Sequence, residues 1–169
     1  MPLTKVIGSG VGQLTSSDTD LVLQVKTAVD TSHRSTTSES FSVASNTAQV
    51  TITPRSASSR FFVTCSGCAT ATDGDDSFFL TIFRDSTNLG HATTGLQTGN
   101  SVPAVVLLFH PFCMTVLDSP STASAITYGF QFRALNNDSD SYSEVVIGRD
   151  VTGSSNPMPT ILTVMEIAG

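Results

Sequence analysis

Tryptophan is missing from this 169-residue chain and tyrosine occurs only twice, so the aromatic platforms on which sugars stack are scarce. Charge is sparse too: Asp, Glu, Lys and Arg make up 13% of the residues, fourteen acidic against eight basic, for a formal net charge of −6. No basic stripe is left to neutralise phosphates, which argues against nucleic acid and an anionic membrane as partners. No apolar run approaches the ~20 residues of a membrane-spanning helix. The opening MPLTKVIGSG lacks the charged start and apolar centre of a signal peptide. Three cysteines, an odd number, do not make a disulfide framework. These absences predict a chain made in a cytoplasm, with its thiols free.

Catalytic signatures are missing in the same way. There is no G-x-S-x-G, the histidines His33, His91 and His110 have no motif around them, and GSGVG near the start lacks the Lys of a phosphate loop. Cys65 and Cys68 form C-S-G-C, the spacing of a zinc knuckle or redox pair. A structural zinc needs further ligands, and only Cys113 and the scattered histidines are available; a redox pair of that type opens a helix. Cys65 is therefore expected to end a buried strand and Cys68 to begin a loop. Asp73, Gly74, Asp75 and Asp76, and again Asn136, Asn137, Asp138 and Asp140, are oxygen-rich but lack the spacing and closing Glu of a calcium loop, and turn chemistry accounts for them. His110 and Glu166 fall in strand-like runs, where a satisfied polar group is expected. No catalytic, cofactor-binding or metal-ligating residue is assigned, and no cofactor is expected. An enzyme or lectin would need an aromatic-lined cleft with paired carboxylates, which this composition disfavours.

What the chain does have is Ser and Thr, more than a quarter of it, and short apolar runs separated by turn clusters. That is the composition of a β-protein. Residues 1–20 stand apart, with Gly8, Gly10 and Gly12 at every second position and sparse apolar residues Leu3, Val6, Ile7, Val11 and Leu14. They are expected to form an extended attachment arm ahead of one domain, residues 21–169. Strands are predicted at Leu21–Val29, Ala48–Pro54, Arg60–Ser66, Ser77–Asp85, Ala125–Arg133 and in the runs YSEVVIGRD and TILTVMEIA. The third and fourth should form a hairpin-like pair. In Ala48–Pro54 the alternation puts Ala48, Val50 and Ile52 on one face, and in Ala125–Arg133 it puts Ile126, Tyr128, Phe130 and Phe132 on one face. The long apolar stretch Val102–Asp118 is divided by Pro111, which excludes a helix and predicts two strands or a bent one. Eight or nine short strands with no 3.6-residue period predict an all-β chain, an antiparallel β-sandwich of the jelly-roll kind. Paired aromatics, Phe61 with Phe62 and Phe78 with Phe79, put rings on both faces of their strands. One face serves the core; the other needs a partner subunit or a second layer.

The segments TITPRSASSRFFVTCSG, FFLTIFRDST, LDSPSTASAITYGFQFR and PTILTVMEIAG resemble a bacteriophage structural domain found in tail-fibre proteins and virion appendages. The resemblance runs from about Val22 to Gly169 and is carried by Ile52–Ser59, Arg84-Asp85-Ser86, Asp118-Ser119-Pro120 and Met165-Glu166-Ile167. It implies a non-catalytic jelly-roll virion protein that assembles as a homotrimer, with the last strand (Leu162, Val164, Met165, Ile167) in or near the trimer contact. Long fibres carry a shaft ahead of this domain, and this chain has none, which favours a capsid decoration (cement) protein over a fibre tip. The expected partners are further copies of the chain and, through the arm, a major capsid protein or another virion protein. The expected location is the virion, on the capsid surface rather than the tail, after synthesis in the bacterial host cytoplasm.

Overall fold

Side chains alternate across a strand, so a strand with one apolar face must lay it against something. In this chain two sheets lay their apolar faces on each other. A computed structural model describes residues 21–44, 47–71, 77–100, 109–135, 144–148 and 158–169. Among them are twelve strands: β1 (Val22–Asp30), β2 (Arg34–Thr36), β3 (Ser42–Val43), β4 (Gln49–Ile52), β5 (Arg60–Ala71), β6 (Ser77–Arg84), β7 (Thr87–Asn88), β8 (Gln97–Asn100), β9 (His110–Asp118), β10 (Ile126–Leu135), β11 (Val145–Ile147) and β12 (Thr160–Ile167). All their pairings are antiparallel. The chain is an all-β, antiparallel β-sandwich.

One sheet runs β1-β12-β5-β9, with β11 and β2 continuing beside the far end of β5; the other runs β4-β10-β6-β8, with β3 and β7 extending its margins. Counted in chain order, the eight strands of four or more residues pair first with eighth, second with seventh, third with sixth and fourth with fifth. That nested pairing is the strand order of a jelly roll. It corrects one local expectation. Strands β5 and β6 do not form a hairpin; they lie in different sheets, β5 paired with β9 and β12, β6 with β10 and β8. Their inward residues, Phe61, Val63 and Cys65 against Phe78, Leu80 and Ile82, belong to one core, and placing them in opposing sheets lets both stripes be buried at once.

The two periodic strands behave as their alternation dictates. Ala48, Val50 and Ile52 are buried, as are Ile126, Tyr128, Phe130 and Phe132. Aromatic rings bridge the sheets, Phe112 stacked on Phe130 at 5.3 Å and Phe61 on Tyr128 at 5.7 Å, and each fully buried large side chain contributes about 1.5–3 kcal/mol. Pro111 sits inside β9 near its start, opposite Cys68. Because β9 is an edge strand of its sheet, the missing N–H need not break a ladder bond. The segment after β1 carries the short strand β2, held to β11 at the margin of the sheet.

Candidate docking surface

Sandwich sheets normally turn polar residues to solvent. The outer face of the β1-β12-β5-β9 sheet does not follow that rule. The registers align three rows across four strands: Val25, Met165, Phe62 and Leu117; then Thr27, Thr163, Thr64 and Thr115; then Val29, Ile161, Ser66 and Cys113. None of these twelve positions is charged. Val25, Val29 and Leu117 are at least half exposed, and the Thr27 and Thr163 hydroxyls hydrogen-bond across the pair at 3.1 Å. The intervening cation, Lys26, turns away: it donates from Nζ to the Thr51 carbonyl at 2.9 Å, on the flank facing β4.

Two carboxylates hold this sheet in shape. Glu166 falls in the inward phase of β12 and is fully buried; it accepts from the Gln24 amide and from the Arg55 N–H, the latter at 2.6 Å. Burial alone would raise its pKa, but the Ser59 hydroxyl, Gln24, the Arg55 N–H and the Arg55 charge outweigh burial and hold it below the usual carboxylate range. Asp118, inward at the end of β9, accepts from Arg84 Nη1 at 2.6 and 2.8 Å and from the Tyr128 hydroxyl at 2.7 Å. Burial first, then the bond to Asp118, pushes the Tyr128 pKa up, so the phenol stays a donor. This cluster latches β9 of one sheet to β6 and β10 of the other. Asp85 completes it, with its N–H on the Thr127 carbonyl and its Oδ1 on the Thr127 N–H. The turn it occupies, at φ 51°, is one that Asp tolerates. Arg84-Asp85-Ser86 and Asp118-Ser119-Pro120 thus meet at one corner of the sandwich.

The outer face of the opposite sheet is dressed differently. Phe79 points outward there but is covered by Arg133, whose guanidinium lies 4.1 Å from the ring centroid and 5.6 Å from that of Phe41. Arg133 also donates to the Thr93 carbonyl from Nε at 2.9 Å and Nη2 at 2.7 Å, and to the Glu39 carbonyl at 3.1 Å, so it staples two loops over the sheet. Of the aromatic pairs, Phe79 gets its second layer from its own chain, while Phe62 stays on the uncharged face.

The trimer-contact residues read from the sequence divide. Leu162 and Val164 are fully buried in the chain's own core; Met165 and Ile167 point outward and are half-buried. The arm residues Leu3, Val6, Ile7, Val11 and Leu14, and the clusters at 73–76 and 136–140, lie outside the described residues. Cys65 and Cys68 both sit in β5, and their odd separation puts them on opposite faces; Cys65 joins the core. Burial raises both thiol pKa values, which makes them poor nucleophiles. His91 is spent capping its own loop, accepting from the Thr93 and Thr94 N–H groups, and His110 packs on Phe78 at 5.2 Å. No group of three or more His, Cys, Asp or Glu side chains is placed to hold a metal among the described residues. A cleft of about 600 Å³ is lined by Ser66, Phe109, Pro111 and Met158 among the described residues.

No family model matches the chain, and no curated protein matches it. Among solved structures it is similar to the infectious bursal disease virus VP2 subviral particle, at 10% identity and a TM-score of 0.39, over 85% of this chain and 40% of that one. It is also similar to the structure of the Gx strain of that virus, at 11% identity and a TM-score of 0.35, over 87% of this chain and 37% of that one. The chain spans about two-fifths of the length of these solved chains.

Proposed function

We propose that this chain is a non-enzymatic structural protein of a bacteriophage particle, a homotrimeric decoration protein that stabilises the capsid from outside. One observation carries the proposal: a jelly roll that latches its core with buried carboxylates yet turns an uncharged lattice of valine, leucine, phenylalanine, methionine and threonine outward. A surface of that kind serves association. In this proposal residues 1–20 order on a neighbouring capsid protein, adding backbone hydrogen bonds and small apolar anchors, and three linked sandwiches bind with avidity.

A tail-fibre or receptor-binding tip is the second reading, favoured by the resemblance of the Arg84-Asp85-Ser86 and Met165-Glu166-Ile167 segments to fibre domains. The ratio of this protein to major capsid protein in purified particles separates them. A ratio of one to one, or one to a few, is expected for a decoration protein. A ratio below about one to ten would refute capsid decoration and move the protein to the tail. Deleting residues 1–20 is expected to leave a folded trimer that no longer binds the particle, and loss of folding would refute the arm.

A further inference from the structure

We infer that the uncharged face is covered by a second copy of this chain, with the β1 half of one copy docked on the β9 half of the next around a threefold axis running parallel to the strands. This inference rests on the trimer proposed above and specifies how it closes.

The most exposed apolar groups of the face are not at its centre. Val25 at 54% and Val29 at 50% exposure stand on β1, and Leu117 at 56% stands on β9 beside the exposed Cys113. On the middle strands Met165, Thr163, Phe62, Thr64 and Ser66 are half-buried, and Ile161 is exposed at 36%. The two flanks therefore carry most of the surface still to be buried, and they carry it in matching order. Read along the strand direction, β1 presents apolar, threonine, apolar, and β9 presents the same three at the same heights, because the rows are in register across the sheet. Rotation about an axis parallel to the strands preserves height. It brings Val25 level with Leu117, Thr27 with Thr115 and Val29 with Cys113 of the adjacent copy, apolar on apolar and hydroxyl on hydroxyl. Cyclic assemblies need such a pairing of two different patches, whereas a twofold contact meets itself.

Charge permits that occupant: each copy carries −6, and a contact through these twelve uncharged positions brings no carboxylates together. From a strand spacing of ~4.8 Å and a two-residue rise of ~6.7 Å, the lattice covers roughly 400 Å². Each contact of the ring uses half of that, roughly 200 Å² a side or about a quarter of the ~800 Å² each partner buries in a standard interface, and the two contacts of each copy together use the whole lattice.

The test uses the full chain with Cys113→Ser, Val25→Cys and Leu117→Cys, treated with a short bismaleimide after its mass is measured by light scattering. The expected result is a trimeric mass before cross-linking and covalent trimers on a denaturing gel. Variants with only one of the introduced cysteines should run as monomers, and buried Cys65 and Cys68 should stay unlinked in Cys113→Ser alone. Dimers from a single introduced cysteine would overturn the ring in favour of twofold packing. A trimeric mass with no cross-link would overturn this contact while leaving the trimer standing. A monomeric mass for the unaltered chain at micromolar concentration would remove the trimer itself. As an independent check, Thr115→Arg, at an exposed position, should reduce the mass to that of one chain with an unchanged circular dichroism spectrum; a persisting trimer would count against the contact.

Discussion

Removing the Tyr128 hydroxyl tests the corner latch between the sheets. Tyr128 is fully buried and its hydroxyl donates to Asp118 at 2.7 Å, while Arg84 Nη1 straddles both Asp118 oxygens. A hydrogen bond to a charged group contributes roughly 1.5–3 kcal/mol, so Tyr128→Phe, which keeps the ring against Phe61, is expected to cost about 2 kcal/mol. For a chain of this size that is a fall of roughly 4–8 °C in Tm. Asp118→Ala strands both the phenol and the arginine and should cost about 3–5 kcal/mol. The double variant should then lose less than the sum, with a coupling of roughly 1–2 kcal/mol. Urea unfolding of the four proteins, read by circular dichroism, gives each free energy from the midpoint and slope. A coupling below about 0.5 kcal/mol, or Tyr128→Phe indistinguishable from the unaltered chain, would refute the latch.

Three further outcomes are expected. Leu162→Ala should destabilise the fold by about 2–5 kcal/mol through a core cavity, while Met165→Ala, three residues along and on the other face, should leave the urea midpoint nearly unchanged; equal losses would contradict the assigned alternation. Glu166 has its folded pKa held below an unfolded value of about 4.3, so its contribution is fully present above that value and lost as pH falls through the folded pKa. Glu166→Gln should accordingly be less stable near neutral pH and approach the unaltered chain in acid, by urea midpoints measured across that range; a gap that widens in acid would reverse the sign. Arg133→Met should free the loops at 39–41 and 92–94, seen as faster limited proteolysis there with the sandwich intact; unchanged cleavage would show that the staple is not needed.

The sequence is most informative where one face of a strand is buried and the other is not. In β4 and β10 strict alternation of apolar residues named the core side chains directly. The same phase also held information about charge. Glu166 follows Leu162 and Val164 at intervals of two, and Asp118 follows Phe112, Met114 and Val116, so both carboxylates lie in inward phase and are buried there. Their partners were not readable, because Gln24, Arg55 and Arg84 come from elements distant along the chain, and Tyr128, though on the next strand, lies in the opposite sheet. Arg133 is in the outward phase of β10, and its burial is due to loops whose path local periodicity does not encode. The pairing of β5 with β9 rather than β6 was hidden for the same reason: adjacency in sequence favours a hairpin, and only the burial of both apolar stripes at once decides against it. On the outer face, Phe62 and Met165 were visible as apolar residues, but that they stand in one row required the register of β12 on β5.

The position of β12 bears on how the chain matures. It is the last described strand, yet it lies inside its sheet, between β1 and β5, and Ala168 donates to the Leu21 carbonyl at 2.8 Å. About 130 residues separate the paired Asp30 and Thr160, and at synthesis rates of ~5–20 residues per second β1 would wait on the order of ten seconds for its neighbour. Until then β1 and the adjoining side of β5 are open edges in the growing chain, and the three rows of the outer face do not yet exist as a surface. The outer face therefore comes into being as a surface only once β12 has been made and seated, which couples synthesis of that one strand to the appearance of all three rows.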